Sequence, residues 1–115
     1  MHELSIISAL FDTLLEKARE HEAKAVTRVK LKVGKLSGVV PELLESGFDM
    51  YKKGTLAEKA LLEIEVLPFS VRCRACGIES EREDFVFACP QCASTELEIV
   101  HGTELFLEKI ELETD

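Results

Sequence analysis

Basic side chains are scarce in this sequence of 115 residues. It contains 14 Lys and Arg against 22 Asp and Glu, so that its formal net charge is −8. Tight binding to nucleic-acid phosphates requires a basic footprint on the protein surface. The charge balance therefore argues against a nucleic-acid partner.

Long apolar runs and enzyme signatures are also missing from the sequence. No stretch approaches the roughly 20 apolar residues of a membrane-spanning helix. The N-terminus lacks the basic first region of a secretory signal peptide, so we expect a cytoplasmic protein without a membrane partner. There is no P-loop, nucleophile elbow or paired catalytic constellation, and we predict that the chain is not an enzyme.

Hydrophobic periodicity predicts two helices and three strands. Apolar residues recur at helical spacing from Leu4 to Ala18, which indicates a helix ending near His21. A second helix is predicted to begin at Pro41. Strict alternation predicts strands around residues 29–33 and 62–66, and a third in 105–112 with a bulge near Glu108.

The order of these elements predicts an α+β fold. Two helices would lie on a small mixed three-stranded sheet, with an inserted four-cysteine module that resembles a zinc ribbon. A strand-helix-strand unit favours a parallel right-handed crossover, and the last strand is expected to join the same sheet. The predicted domains are a discontinuous α/β domain, residues 1–69 and 102–115, and a cysteine module, residues 70–101.

The cysteines form two Cys-x-x-Cys pairs separated by twelve residues: Cys73, Cys76, Cys89 and Cys92. Disulfides are disfavoured in a reducing cytoplasm, whereas paired cysteine turns form tetrahedral four-thiolate sites. We predict structural Zn(II), with iron in a rubredoxin-like site as the alternative. A dithiol redox role for one pair would leave the other pair unexplained.

The N-terminus carries a second candidate metal site. The terminal amine of Met1, the amide and imidazole nitrogens of His2 and the carboxylate of Glu3 lie close together along the chain. Nitrogen-rich, near-planar ligation suits Ni(II) or Cu(II). The alternative is a solvated helix start, with Glu3 favourable to the helix dipole. The residues alone leave both alternatives open.

Several segments together carry a family resemblance: "MHELSI", "RVKLKVGKLSGVVPELL", "FDMYKKGT", the pattern C-x2-C-x12-C-P-x-C, and "GTELFLEKIELE". In this combination the sequence resembles the HypA/HybF family of hydrogenase-maturation nickel metallochaperones over essentially its whole length. The resemblance implies a nickel-binding α/β domain with a zinc-binding domain inserted before the last strand. The family's nickel-binding Met-His-Glu matches Met1, His2 and Glu3, and its structural zinc cysteines match the four cysteines of this chain.

The resemblance also implies partners. The family delivers nickel to the large subunit of [NiFe]-hydrogenase, works with a HypB-type GTPase and in some bacteria supports urease. We expect a monomer or a weak dimer. The family's second cysteine pair is often followed by Gly, whereas Ala93 stands at this position here.

Some interpretations of this sequence remain open. His101, at the exit of the cysteine module, could join a nickel site if the two domains close, although a solvated hinge residue is the simpler interpretation. The rival functions are a zinc-ribbon module for protein or nucleic-acid interaction, and a rubredoxin-like electron carrier. The module lacks interleaved basic and aromatic residues, which disfavours nucleic-acid binding.

Overall fold

The computed structural model describes residues 2–82 and 87–115, with the backbone only of His2. The described residues form two helices and six strands in two three-stranded sheets, ordered β2-β1-β6 and β4-β3-β5. In chain order the elements are α1 His2–Glu20, β1 Ala25–Gly34, α2 Pro41–Tyr51, β2 Leu61–Leu67, β3 Phe69–Cys73, β4 Glu79–Arg82, β5 Leu97–His101 and β6 Leu105–Glu113. The predicted α+β class is confirmed.

The chain divides into two compact units. We call Met1–Lys32, Val39–Glu65 and Phe106–Asp115 the α/β unit, and Val33–Gly38 and Val66–Leu105 the cysteine unit. The cysteine unit thus includes a short segment from the end of β1. The functional domain boundaries predicted from the sequence, residues 1–69 with 102–115 and residues 70–101, stay a prediction.

The core of the α/β unit forms between the two helices and the middle strand. Ile7 and Leu14 of α1, Leu44 of α2 and Val29 of β1 are each fully buried. The helices approach closely at Gly47, where an added Cβ would lie 3.2 Å from Cγ1 of Ile7. Burial of this apolar stripe stabilises helices that would be marginal alone.

Strand directions in the sheet β2-β1-β6 follow from its ion pairs. Arg28 contacts Glu63 and Lys30 contacts Glu65, so positions in β1 and β2 advance together and these strands are parallel. The N–H of Lys24 donates to Glu113 O, and that of Gly34 donates to Glu104 O, so β6 runs antiparallel to β1. The predicted parallel arrangement of β1 and β2 and the place of the last strand are confirmed. The right-handed sense of the crossover stays a prediction.

The predicted irregularity in β6 is visible in its ion pairs. Glu108 contacts Lys30 and Lys32, and Glu111 contacts Arg28. These three basic residues share one face of β1, yet the two glutamates lie three positions apart. The alternation in β6 therefore slips by one residue between them, as the sequence predicts.

The cysteine unit contains an antiparallel sheet that the sequence analysis missed. In β3, Phe69, Val71 and Cys73 are almost completely buried. Arg72 lies opposite both Glu79 of β4 and Glu98 of β5, and it contacts both carboxylates. This sheet supports the cysteine turns described below.

Within residues 2–82 and 87–115, neither helix is long and apolar enough to cross a membrane.

Candidate metal centre

The four cysteine sulfurs meet at one point in the cysteine unit. All four Sγ atoms lie within 4.8 Å of one another. The Sγ atoms of Cys73 and Cys92 are 3.6 Å apart, as are those of Cys76 and Cys89. Among the described residues, no other group of three or more His, Cys, Asp or Glu side chains gathers its ligand atoms in this way.

Two turns of the same design present these sulfurs. In the first turn, the N–H of Gly77 donates to Cys73 O at 2.8 Å; in the second, the N–H of Ala93 donates to Cys89 O at 2.9 Å. Gly77 and Ala93 both adopt positive φ, 80° and 61°. Glycine adopts this conformation without a steric penalty, whereas Ala93 is an L-residue in the same region.

Backbone amides point at the first sulfur of each turn. The N–H of Cys76 donates to Cys73 Sγ and the N–H of Cys92 donates to Cys89 Sγ, each at 3.4 Å. The pKa of Cys73 is lowered from 9.0 to about 6, with the Cys76 amide as the largest cause, and the Cys92 amide is the largest cause that lowers the pKa of Cys89. Amide donors therefore favour the thiolate form at both positions.

For the second cysteine of each turn, the pKa is raised rather than lowered. The Ser94 amide lowers the pKa of Cys92, but the neighbouring Cys73 sulfur and burial outweigh it and raise that pKa to about 12. The pKa of Cys76 is raised as well, because burial and the Cys89 and Cys73 sulfurs exceed the effect of the Ile78 amide. Four negative sulfurs at this separation thus require a positive ion. The donor set fits a soft cation in closed tetrahedral coordination.

Of the N-terminal candidates, the structure describes Glu3 and the backbone of His2. Met1 and the His2 side chain lie outside the described residues. Glu3 is only 8% exposed, and its Oε2 accepts a hydrogen bond from the N–H of Val40 at 3.2 Å. Val40 precedes α2 and makes no side-chain cap of its own. Glu3 therefore places a carboxylate at the start of α2, a contact that the sequence analysis missed.

His101 stands at the end of β5, with 63% of its side chain exposed. Its Nδ1 lies 3.8 Å from Glu104 Oε2. The Glu104 carboxylate also accepts a hydrogen bond from the N–H of Gly102, and this bond is the main reason why the pKa of Glu104 is lowered. Glu104 is the one acidic side chain that an ion pair joins to His101 in the described part of the chain.

The basic face of β1 is occupied by acidic neighbours. Arg28, Lys30 and Lys32 lie on this face of the strand. In the structure each contacts one or more glutamates of β2 or β6. The charges of these basic side chains are therefore balanced by acidic side chains of the same sheet.

Comparison with known proteins gives a consistent result. A family model described as hydrogenase/urease nickel incorporation, metallochaperone, HypA matches residues 1–112. The chain is 45% identical to hydrogenase maturation factor HypA of Aquifex aeolicus, with 100% of both chains covered. It is 44% identical to the protein of the same name from Nitrosospira multiformis, with 99% of both covered.

Solved structures with the same architecture are also HypA proteins. The solution structure of the Ni metallochaperone HypA from Helicobacter pylori matches with a TM-score of 0.66 and 24% identity, covering 98% of each chain, and shows the shared fold. A solution structure titled HypA protein matches with a TM-score of 0.70 and 26% identity over 97% of this chain and 96% of the other. From the family match over nearly its whole length and these relatives, the chain belongs to the HypA family of hydrogenase-maturation metallochaperones, which are not enzymes.

Proposed function

We propose that this protein carries Ni(II) at its N-terminus, delivers it for [NiFe]-hydrogenase maturation and holds a structural Zn(II) at its four cysteines. The observation that carries the proposal is the family match across residues 1–112, which includes the Met-His-Glu start and both cysteine pairs. A carrier must bind its cargo selectively and still release it. Ligands at a chain terminus serve this purpose because an incoming ligand can reach the ion.

The proposed nickel ligands are Met1, His2 and Glu3. His2 is the first residue of α1, and the first four N–H groups of a helix have no partner within the helix. Deprotonation of the His2 amide by nickel would therefore break no helical hydrogen bond. The hydrogen bond from Val40 fixes the first turn at Glu3. His101 is proposed as a further ligand only for a state in which the two domains close; its exposed imidazole equally fits the simpler interpretation of a solvated hinge residue.

The proposed zinc ligands are Cys73, Cys76, Cys89 and Cys92. The four-sulfur set leaves no open coordination position, so the ion would have a structural role. When bound, zinc supplies a cross-link between the two turns. Iron remains the alternative for four thiolates, and metal analysis of the purified protein with its absorption spectrum distinguishes the two. We expect a colourless zinc protein; a red iron protein would contradict the assignment.

The proposed partners follow from the family's role. They are a HypB-type GTPase and the large subunit of [NiFe]-hydrogenase. Urease is proposed as a second recipient of nickel. We propose action in the cytoplasm, as a monomer or a weak dimer. We assign nickel handling to residues 1–69 and 102–115, and zinc binding to residues 70–101.

A complementation assay tests this function. Cells that lack this chain should mature hydrogenase poorly, and excess nickel in the medium should restore part of the activity. The wild-type gene should complement the deletion, whereas His2→Ala should not, at equal protein level. His21→Ala is the matched control, because His21 lies just beyond the other end of α1. Normal hydrogenase activity in the deletion strain without added nickel would contradict the proposal.

A further inference from the structure

The two cysteine turns share a hydrogen-bond design but differ in how the fold supports them. The first turn, Cys73 to Ile78, joins β3 directly to β4. Arg72 of β3 is paired with Glu79 of β4. Cys73 also lies opposite Leu97 of β5. Both ends of the first turn are thus continuous with paired strands.

The second turn, Cys89 to Ser94, lies between β4 and β5. Side-chain contacts attach the segment before it: Arg82 Nη1 donates to Ala88 O at 2.8 Å, and Phe87 stacks on Phe69 with ring centroids 5.4 Å apart. Residues 87–88, on the entry side, belong to no strand. On the exit side, residues 95–96 also belong to no strand, but Glu96 O accepts a hydrogen bond from the N–H of Arg74 at 2.8 Å, directly before β5. The second turn therefore has backbone support at its exit only, and its entry is held by side chains. A turn attached in this way opens at lower free energy than one with a strand ladder at both ends.

The backbone conformations reinforce this difference. Gly77 adopts φ of 80° without a steric penalty, whereas Ala93 adopts φ of 61° with a Cβ. No atom lies within 4 Å of the position that a Cβ would take at Gly77. The two equivalent positions therefore differ mainly in torsional strain, and the second turn carries it.

We infer that the cysteine site opens in a fixed order, in which the Cys89–Cys92 turn releases the metal first and the Cys73–Cys76 turn stays attached to the sheet. Ala93 is a positioning residue for this order of opening, because its backbone torsional strain is relieved when the second turn opens. The inference rests on the proposed function that these cysteines hold zinc. It adds an order of release, and with it a defined direction from which a chelator or another thiol gains access to the ion.

The order can be measured on the full, zinc-loaded chain with EDTA as the competitor. Alkylation by iodoacetamide is followed for each cysteine by mass spectrometry while EDTA is limiting. The valid comparisons pair cysteines of equal burial: Cys76 with Cys92, which are exposed, and Cys73 with Cys89, which are buried. We expect Cys92 to react before Cys76, and Cys89 before Cys73.

Two reciprocal variants test the cause. Ala93→Gly should slow the labelling of Cys89 and Cys92 and tighten zinc binding by about three- to tenfold. The greater freedom of glycine in the open turn reduces this gain without reversing it. Gly77→Ala should add the corresponding strain to the first turn and speed the labelling of Cys73 and Cys76.

The outcomes separate this inference from the proposed function. A chain that takes up no zinc would overturn both. A chain that binds zinc but exposes the two turns together, or the first turn first, would overturn the release order alone. Unchanged labelling rates in Ala93→Gly would overturn the role of Ala93. The expected order of labelling, with slower labelling in Ala93→Gly and faster labelling in Gly77→Ala, would support the inference.

Discussion

Glu3 links the two helices of the α/β unit through a single side chain. Its buried carboxylate accepts a hydrogen bond from the N–H of Val40, directly before α2 begins. A negative charge at this position also interacts favourably with the positive end of the helix. Because the two residues are 37 positions apart, a local sequence pattern could identify Glu3 as a helix-start residue of α1 but could not show its contact with α2.

Substitution of Glu3 should therefore reduce stability. Glu3→Ala leaves the Val40 amide without this acceptor and is expected to lower the free energy of unfolding by about 1–3 kcal/mol. Glu3→Gln keeps an acceptor and should lower it by about 1 kcal/mol or less. Urea unfolding followed by helical circular dichroism checks this. Glu42→Gln, in the first turn of α2, is the control for charge alone; equal stability of Glu3→Ala and wild type would contradict the contact.

Two glycines allow a steric effect to be distinguished from a torsional one. A Cβ at Gly34 would lie 2.2 Å from Gly102 O, a backbone atom, whereas a Cβ at Gly38 would meet nothing within 4 Å. Gly38 instead has a φ of 79°. We expect Gly34→Ala to destabilise the protein by about 1–3 kcal/mol through overpacking. Gly38→Ala should cost about 1 kcal/mol through strain.

Thermal unfolding of both glycine variants measures this difference. The larger loss should belong to Gly34→Ala, because its Cβ cannot be accommodated without moving the backbone of another segment. If Gly38→Ala proved the more damaging of the two, the close approach of Gly34 to Gly102 would be refuted.

At the level of elements, the sheet β2-β1-β6 carries alternating rows of charge. The basic row of β1 lies between glutamates of β2 and β6. Lys32 and then Lys30 lower the pKa of Glu108 from its ordinary value of 4.5, and Glu65 and then Glu108 raise the pKa of Lys30 above 10.5. These shifts link the stability of the sheet to pH.

The direction of this linkage follows from the lowered pKa of Glu108. Its ion pairs stabilise the folded state above pH 4.5, and the contribution disappears as pH falls through the lower folded-state pKa. We predict that Glu108→Gln is less stable than wild type at about pH 6 and that the difference shrinks as the pH falls below 4.5 and through the lowered pKa of Glu108. Denaturant titrations across this range, with Glu16→Gln on the exposed face of α1 as control, measure it. A difference that stays constant with pH would contradict the pairing.

The elements of the α/β unit could be predicted from the sequence, and those of the cysteine unit could not. In α1 and β1 the buried positions repeat with the period of the element, as Ile7, Phe11 and Leu14 illustrate. In β3, Phe69, Ser70 and Val71 are all buried, so no alternation marks the strand. β4 is only four residues long, and only its pairing with β3 defines it as a strand.

The candidate metal centre could likewise be predicted only in part. The spacing of the cysteines predicts their convergence, because each pair forms a local turn, and the structure brings all four sulfurs together. The positive φ of Ala93 had only an indirect signal, the Gly that the family often has at this position. The neutralisation of the basic row on β1 depends on which strands become neighbours, which no local pattern reveals.

For the whole molecule, the central consequence is that the two units should differ in what stabilises them. The α/β unit has an apolar core built from two helices and a sheet, whereas a cysteine unit of this size buries little apolar surface. Metal binding is expected to supply much of the folding free energy of the cysteine unit.

A chelator should therefore unfold the cysteine unit first. EDTA is predicted to collapse the NMR dispersion of residues 70–101 while the helical circular dichroism of α1 and α2 persists. Adding Zn(II) back should restore the spectrum, and adding Mg(II) should not, because thiolates select soft ions. Complete metal loss with unchanged dispersion in this segment would show that the fold does not depend on the ion.

The central claim of a nickel carrier is tested most directly by calorimetric titration of Ni(II) into the untagged protein beside His2→Ala. A tag would mask the terminal amine, so the native start is required. We predict one nickel site per chain in the wild type, weakened by about tenfold or more in His2→Ala. Binding should also weaken as pH falls through the imidazole range. Equal nickel binding by the two proteins would contradict the account.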